Sequence, residues 1–338
     1  MPSRSYSIVI PARNEEKYIE RLLDSIVALD YPKDKLEVFV VDGESDDKTA
    51  ELVQDYCSRF PHIHLILNPD RVTPISLNMG IMASTTDVRI ILGAHSEIHS
   101  DYIKECEKAF EVSNADCVGG IIDNVYENQT SASVGKAMSS RFGVGNAHFR
   151  TGTFEGFVDT VAFGAYKKEV FDTIGYFDED LVRNQDDEFN YRLLASGRKI
   201  WLSSSIRCKY YVRASFKKLW KQYYQYGYWK VFVNKKHKAI TTIRQLVPFF
   251  MVVYTLALLL GTMVYPNYVY LFSLPLFAYL LLGLSMSVSA GEGIAQKAQI
   301  WFTFFILHYG YGLGYLVGIF HFYLLGKKPS EKSKALSR

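Results

Sequence analysis

The chain has 338 residues, 49% of them hydrophobic and 22% charged, with a net charge of +3. That length is enough for two domains, and the charge is too small to argue for a nucleic-acid partner. The mean hydropathy near zero hides a split. Up to about residue 244 the sequence is mixed and charged, and from Leu246 onward it is largely apolar. Lys235, Lys236, Lys238 and Arg244 precede the apolar part, and Lys327, Lys328, Lys332, Lys334 and Arg338 follow it. Cys57, Cys106, Cys117 and Cys208 share no CxxC spacing, so neither a zinc site nor a redox motif is expected. Free thiols in a reducing compartment are the simplest account. The start, Met1 to Tyr6, lacks the apolar run of a signal peptide, so the N-terminal domain is expected in the cytoplasm.

In chain order, Tyr6–Ile10 reads as a buried strand ending at Pro11. Asn14 is a candidate cap for a helix whose apolar residues Ile19, Leu22, Leu23, Ile26 and Leu29 follow at helical spacing. Leu36–Val41 is a second strand, closed by Asp42-Gly43, and Ser45 is a candidate cap for a helix reaching Tyr56. His62–Leu67 and Val88–Leu92 are further strands, with a helix from Pro74 to Ala83 between them. This rhythm predicts an α/β fold with a mostly parallel sheet and helices on both faces. Ligands of such sheets lie at the carboxyl ends of the strands. Here those ends are Pro11–Glu15, Asp42–Asp47, Asn68–Arg71 and Gly93–Glu97. After Asp116 the pattern loosens, and Gly143, Gly145, Gly152, Gly156 and Gly164 punctuate an aromatic-rich stretch read as loops and short strands covering the sheet edge.

From Ser215 to Val233 aromatics alternate with lysines. That pattern suits a helix in a membrane headgroup layer, and equally an aromatic helix packed on the preceding domain. Leu246–Val264, Tyr268–Ser289 and Ile300–Leu325 are uncharged runs of membrane-spanning length. The first two read as a hairpin turned at Pro266-Asn267. In the third, Gly310, Gly312, Gly314 and Gly318 would allow close helix packing. Lysines before the first run favour that side as cytoplasmic, which conflicts with a lysine-rich tail after an odd number of spans. The boundaries expected are a domain over residues 1–214, an interfacial segment over 215–244, two or three membrane helices over 245–326 and a basic tail over 327–338.

Two acidic features carry the chemistry. Arg183-Asn184-Gln185-Asp186-Asp187-Glu188 precedes an apolar-periodic stretch. A helix N-terminus keeps a carboxylate ionised, and an ionised carboxylate in a cleft can take a proton from a hydroxyl nucleophile. Asp42, at a strand end, can bond a nucleobase or ribose, or serve a capping turn.

Pro11-Ala12-Arg13-Asn14-Glu15-Glu16 and Asp42-Gly43-Glu44-Ser45-Asp46-Asp47-Lys48-Thr49 resemble motifs of family 2 glycosyltransferases. The resemblance continues through Thr73–Gly80 (with Asn78), Gly143-Val144-Gly145-Asn146, Phe163-Gly164-Ala165-Tyr166 and Asn184–Asn190, in the same order. Together they look like the succinoglycan-type exopolysaccharide branch, over residues 5 to about 235. The resemblance implies a GT-A fold followed by membrane helices. It implies a donor site at Pro11, Arg13, Asn14, Glu15, Asp42 and Asn78 for a nucleotide-sugar, usually a UDP-sugar. It places the base on Asp186, with Asp187 and Glu188 as supporting acids. A divalent metal, Mn²⁺ or Mg²⁺, is implied after the fourth strand. The branch shows D-A-H there, whereas this chain reads Gly93-Ala94-His95, so His95 remains as ligand and Glu97 is a substitute to consider. Gly164, Gln225 and Trp229 fall in the acceptor or donor region. Tyr228 replaces the arginine of a Q-x-x-R-W motif, which argues for single-sugar transfer.

The reading is an inverting, membrane-anchored glycosyltransferase. It acts at the inner membrane on a lipid-linked acceptor, with Arg213, Lys217, Lys218 and Lys221 near the lipid phosphates. The alternative is a nucleotide-sugar-binding scaffold without turnover, supported by Gly93. A transporter is disfavoured because His308 and His321 are the only ionisable groups in the apolar runs. A nucleotidyltransferase is disfavoured by the missing phosphate loop.

Overall fold

The computed structural model describes residues 4–152, 154–212 and 214–329. Arg213, Lys332, Lys334 and Arg338, which the sequence reading invoked, lie outside the described residues, as do Met1 to Ser3. The strands are β1 (Tyr6–Ala12), β2 (Leu36–Asp42), β3 (Ile63–Leu67), β4 (Val88–Ile91), β5 (Ser96–Ile98), β6 (Cys117–Val125), β7 (Gly156–Val158), β8 (Ala162–Lys167) and β9 (Ile200–Tyr211). The helices are α1 (Ile19–Val27), α2 (Thr49–Arg59), α3 (Thr73–Ala83), α4 (Tyr102–Ser113), α5 (Gln129–Met138), α6 (Arg141–Val144), α7 (His148–Thr151), α8 (Lys168–Ile174), α9 (Gln185–Ala195), α10 (Phe216–His237), α11 (Val247–Val264), α12 (Val269–Ala290) and α13 (Gly293–Ile319). They form two compact units. One takes the residues up to Val125 together with Ala147–Tyr211, and the other takes Tyr126–Asn146 and the residues from Val212 on. The sequence reading had kept 1–214 together.

The first unit is built on one sheet in the order β3-β2-β1-β4-β8-β6-β9-β5, with β7 also on β9. The expected parallel rhythm holds over β3, β2, β1 and β4. Beyond β4 the sheet is mixed, because β8 runs antiparallel to both β4 and β6 while β6 and β9 are parallel. Strand interiors such as Ile8, Ile10, Val38, Val40, Val88 and Ile90 are fully buried and pack against Ile19, Leu22, Leu23 and Ile26 of α1. On the other face α3 lies close, since a Cβ on Gly80 would come within 2.5 Å of Val9.

Three local expectations change. The segment after Asp116 is not an edge covering: β6 runs inside the sheet between β8 and β9. Two glycines had disguised it. A Cβ on Gly120 would fall 1.8 Å from the Ile206 carbonyl oxygen, and one on Gly119 2.6 Å from Val161, so the close strand approach excludes side chains there. Asn14 and Ser45 do not cap α1 and α2, which begin at Ile19 and Thr49. Both residues instead knit the loops described below.

In the second unit, the segments Ile243–Val264, Pro266–Ala290 and Gly293–Leu324 are long and apolar enough to cross a membrane by length and composition. Many side chains of the first two are outward and apolar, among them Leu260, Met263, Tyr270 and Leu271, as expected of lipid-facing helices. α13 is the central helix, and its glycines face two neighbours. A Cβ on Gly314 would lie 2.0 Å from the Tyr224 carbonyl oxygen in α10, and one on Gly312 2.2 Å from that of Pro248 in α11. Gly227 of α10 answers in kind, with a Cβ position 2.0 Å from the Tyr311 oxygen. α10 is therefore a helix packed along α13 rather than on the first unit's sheet. Its aromatics serve that packing: Trp229 is fully buried. α5 joins this unit through Ser133–Gln299 and Lys136–Glu292. His308 bonds the Phe142 carbonyl oxygen through Nε2 and the Tyr279 hydroxyl through Nδ1, both at 2.9 Å.

Candidate active site

The carboxyl ends of β1 and β2 carry loops that are stitched to each other by side chains. Asn14 sits in the left-handed region at φ 56°. Its backbone N–H donates to Ser45 Oγ, and its Oδ1 accepts from the Asp46 N–H. The Glu15 N–H donates to Thr49 Oγ1 and the Glu16 N–H to Asp47 Oδ2. Asp42 is buried, and both of its carboxylate oxygens accept from Ser45, one from the N–H and one from the hydroxyl. Asp42 thus closes the loop onto Ser45 and caps no helix, since α2 begins at Thr49. Burial pushes the Asp47 carboxyl up, but hydrogen bonds from the Thr49 hydroxyl and the Thr49 and Glu16 N–H groups outweigh it, so the net shift is downward. Beside this frame Pro11 pairs with Val41 one residue before β1 ends at Ala12. Arg13 reaches Asp46 at 3.9 Å, and Arg71 grips Glu44 with Nε at 2.9 Å and Nη2 at 2.6 Å. Gly43 lies between them: a Cβ there would stand 3.5 Å from both Arg13 Cδ and the Arg71 Cα. The Arg13 side chain and the Arg71 backbone thus border Gly43 at the strand end. Arg71 is signalled in the sequence only as part of the strand end Asn68–Arg71.

Asn78 has a different role from the one the resemblance implied. It is buried on α3, with Nδ2 donating to the Phe177 carbonyl and Glu179 and Oδ1 accepting from the Phe177 N–H. Its amide is spent on holding the loop that leads to α9.

After β4 the chain turns through Gly93 to His95. His95 Nδ1 lies 2.6 Å from Glu15 Oε2, and Glu15 is buried while the histidine side chain is 18% exposed. A carboxylate on one ring nitrogen fixes the tautomer and leaves the other nitrogen as a lone-pair donor, the arrangement met behind metal-binding histidines. The structure thus moves Glu15 from the donor set to the orientation of His95. Among the described residues no group of three or more His, Cys, Asp or Glu side chains converges. Glu97 is committed elsewhere, to the Tyr211 hydroxyl and Lys209. Burial raises the pKa of its carboxyl, but those two donors outweigh burial and hold it below the ordinary range. Gly93 has a local cause too: a Cβ there would meet the Phe163 ring at 3.2 Å.

Phe163 opens the path to the acidic run. The next residue, Gly164, cannot carry a side chain without meeting the Tyr166 ring and hydroxyl at 2.8–2.9 Å. The Tyr166 hydroxyl bonds Asn190 of α9, and Asn190 Nδ2 bonds Thr160. Burial, then Cys117, then the Asp186 charge push the Tyr166 phenol well up, which places Asp186 within electrostatic reach of that ring. α9 starts abruptly at Asn184, φ 60°, so Asp186, Asp187 and Glu188 all fall in its first turn as expected. They then diverge. Glu188 is buried and locked to Arg192 at 2.8 and 2.9 Å, and Arg192 also donates to the Ile174 and Tyr176 carbonyls. Glu188 is thus a frame residue, not a reserve acid. Asp186 is exposed, with Oδ1 accepting from the Asp187 N–H. Gln225 and Trp229 belong to the second unit and are buried there, so Trp229 offers no ring face to a sugar.

The glycosyl transferase family 2 model matches residues 7–175. A Methanococcus voltae protein is 34% identical over 229 residues, covering 65% of this chain and 71% of the relative; it is a dolichyl N-acetyl-alpha-D-glucosaminyl phosphate 3-beta-D-2,3-diacetamido-2,3-dideoxy-beta-D-glucuronosyltransferase. The succinoglycan biosynthesis protein ExoA of Rhizobium meliloti (strain 1021) is 29% identical over 253 residues, 73% of this chain and 76% of the relative. Among solved structures, the mannosyltransferase PcManGT from Pyrobaculum calidifontis, in complex with GDP-Man and Mn²⁺, superposes with a TM-score of 0.63 at 18% identity, over 91% of this chain and 86% of that one. That likeness speaks for the GT-A-like fold. The chain belongs to glycosyl transferase family 2 and is a transferase, with a GT-A-like domain followed by three apolar helices that are candidate membrane spans.

Proposed function

We propose that the chain transfers a hexose from a nucleoside-diphosphate sugar, a UDP-sugar in the first instance, to a lipid-linked glycan in surface polysaccharide assembly. The carrying observation is Asp186: an exposed carboxylate at a helix N-terminus whose surroundings are rigidly bonded. It suits the removal of a proton from an acceptor hydroxyl. As the hydroxyl oxygen bonds the anomeric carbon, its proton passes to Asp186 and the nucleoside diphosphate departs with the bonding electrons of the broken C–O bond. One base and one displacement invert the anomeric centre. Arg13, Gly43 and Arg71 form the floor for the nucleotide, and Glu15 holds His95 with Nε2 available. A divalent metal, Mn²⁺ or Mg²⁺, held there together with substrate oxygens would offset charge on the leaving diphosphate. The lipid-linked acceptor is supported by the Methanococcus voltae relative, whose name specifies a dolichyl phosphate sugar, and by the succinoglycan relative. The apolar helices tether the domain to the membrane in which such an acceptor resides, and the catalytic domain works on the cytoplasmic side of the inner membrane.

The test is sugar transfer from a panel of UDP- and GDP-sugars to a membrane lipid extract, with Mn²⁺ and with chelator. Metal-dependent transfer of one sugar to a lipid fraction is the expected result. Donor binding without transfer to any lipid fraction, with a purified lipid-phosphate acceptor supplied, would overturn the proposal in favour of a nucleotide-sugar-binding scaffold.

A further inference from the structure

The short helix α7 carries a charge that the fold does not answer. Arg150 has its Cζ 5.3 Å from the Phe149 ring and 6.0 Å from the Tyr210 ring, and among the described residues it makes no ion pair. Among the described residues its buried Nη1 has no hydrogen-bond partner, and neither do the buried His148 Nδ1 and Thr151 Oγ1 on the same turn. A guanidinium stays charged throughout the accessible pH range, and partial burial without a carboxylate is costly. The neighbourhood is the reaction side of the sheet. The Tyr210 ring that borders Arg150 also lies 6.2 Å from the His95 ring, and His95 follows the carboxyl end of β4.

We propose that Arg150 binds a phosphate group of a substrate during transfer, with its planar fork supplying two donors to the phosphate oxygens. The inference rests on the transferase reading above. Two substrates carry that chemistry, the nucleoside diphosphate of the donor and the phosphate of a lipid-linked acceptor. Arg150 acts on substrate directly and so differs from Glu15 and Arg192, which position other groups.

The experiment uses the full chain in detergent micelles, as wild type, Arg150→Ala, Arg150→Lys, and Arg141→Ala as a charge-loss control on α6. UDP and GDP binding without acceptor is measured by calorimetry, and KM and kcat for the lipid acceptor at saturating donor. Arg150→Ala should raise either the nucleotide Kd or the acceptor KM about 10- to 100-fold. Arg150→Lys should recover part of the loss, and Arg141→Ala should change neither. The constant that moves names the substrate. If both constants stay within about twofold of wild type while transfer proceeds, the proposal is overturned and the transferase reading stands. A fall in kcat that follows the melting temperature, with both constants unchanged, also overturns it. If Arg150→Ala unfolds, Arg150→Gln keeps the stem between the two rings and takes its place. If wild type transfers no sugar at all, the failure belongs to the transferase reading. Inorganic pyrophosphate binding to wild type and Arg150→Ala then decides Arg150 alone: weaker binding to the variant supports it, and equal binding overturns it.

Discussion

The loops after β1 and β2 and the first turn of α9 use similar polar residues in opposite ways. In the loops nearly every side chain the motifs single out is consumed by the frame. Asn14 bonds the Asp46 N–H, Asp42 closes onto Ser45, and Glu15 faces His95. In α9 the acidic run divides, with Glu188 buried against Arg192 and Asp186 left exposed. A motif residue is therefore not a reacting residue by virtue of its type. Burial and partners decide: Glu188 is buried on Arg192, whereas Asp186 keeps an exposed carboxylate.

The sharpest break of this comparison is Asp186→Asn against Asp187→Asn. The first should lower kcat by about 10² to 10⁴ with an unchanged melting temperature, and the second should lower it by less than about tenfold. A larger loss at Asp187 would move the base by one residue. Arg192→Ala should remove the ion pair that holds the buried Glu188 carboxylate. The expected cost is about 3 kcal/mol or more, read from denaturant unfolding, and an unchanged stability would remove Glu188 from the frame. Glu15→Gln should cost about 10- to 100-fold in metal affinity, read as the Mn²⁺ concentration giving half-maximal transfer, with activity restored by excess Mn²⁺. Loss that excess metal does not restore would return Glu15 to the donor set.

Gly93→Asp paired with Phe163→Ala should lower the Mn²⁺ requirement by several-fold, because the ring that crowds a side chain at residue 93 is gone. Gly93→Asp alone should gain less. The smallest effect concerns Glu97, whose carboxyl the Tyr211 hydroxyl and Lys209 hold below its ordinary range against the opposing push of burial. A depressed folded-state value contributes stability that is complete above the unfolded carboxyl range and is lost as pH falls through the depressed value. Tyr211→Phe should therefore destabilise the protein at pH 7 and make little difference near pH 2, by denaturant unfolding at both pH values. An equal effect at both would mean that the hydroxyl acts by packing alone.

The strand–helix rhythm, the three apolar helices and the acidic run at the head of α9 were legible in the sequence because each rests on a local pattern. Apolar periodicity exposes β1 to β4, and uncharged length exposes α11 to α13. What was illegible depends on contacts distant in sequence. Gly119 and Gly120 resemble a loop until Ile206 and Val161 are brought against them. The family resemblance found Asn78 but not its task, which is set by Phe177 and Glu179 about a hundred residues away. Gln225 and Trp229 read as residues of the acceptor or donor region because nothing local reveals that α10 packs along α13. Arg150 carries no motif signal, and the motif that includes Phe163 does not show its neighbour; only the folded sheet puts the two beside Tyr210 and Gly93.

The central claim is a single displacement assisted by one carboxylate, and the anomeric configuration of the product tests it most directly. NMR of the transferred sugar, compared with the donor, should show inversion at the anomeric carbon. Retention would require a covalent intermediate or attack from the leaving-group face, and would contradict the assignment of Asp186 as the base of a single displacement.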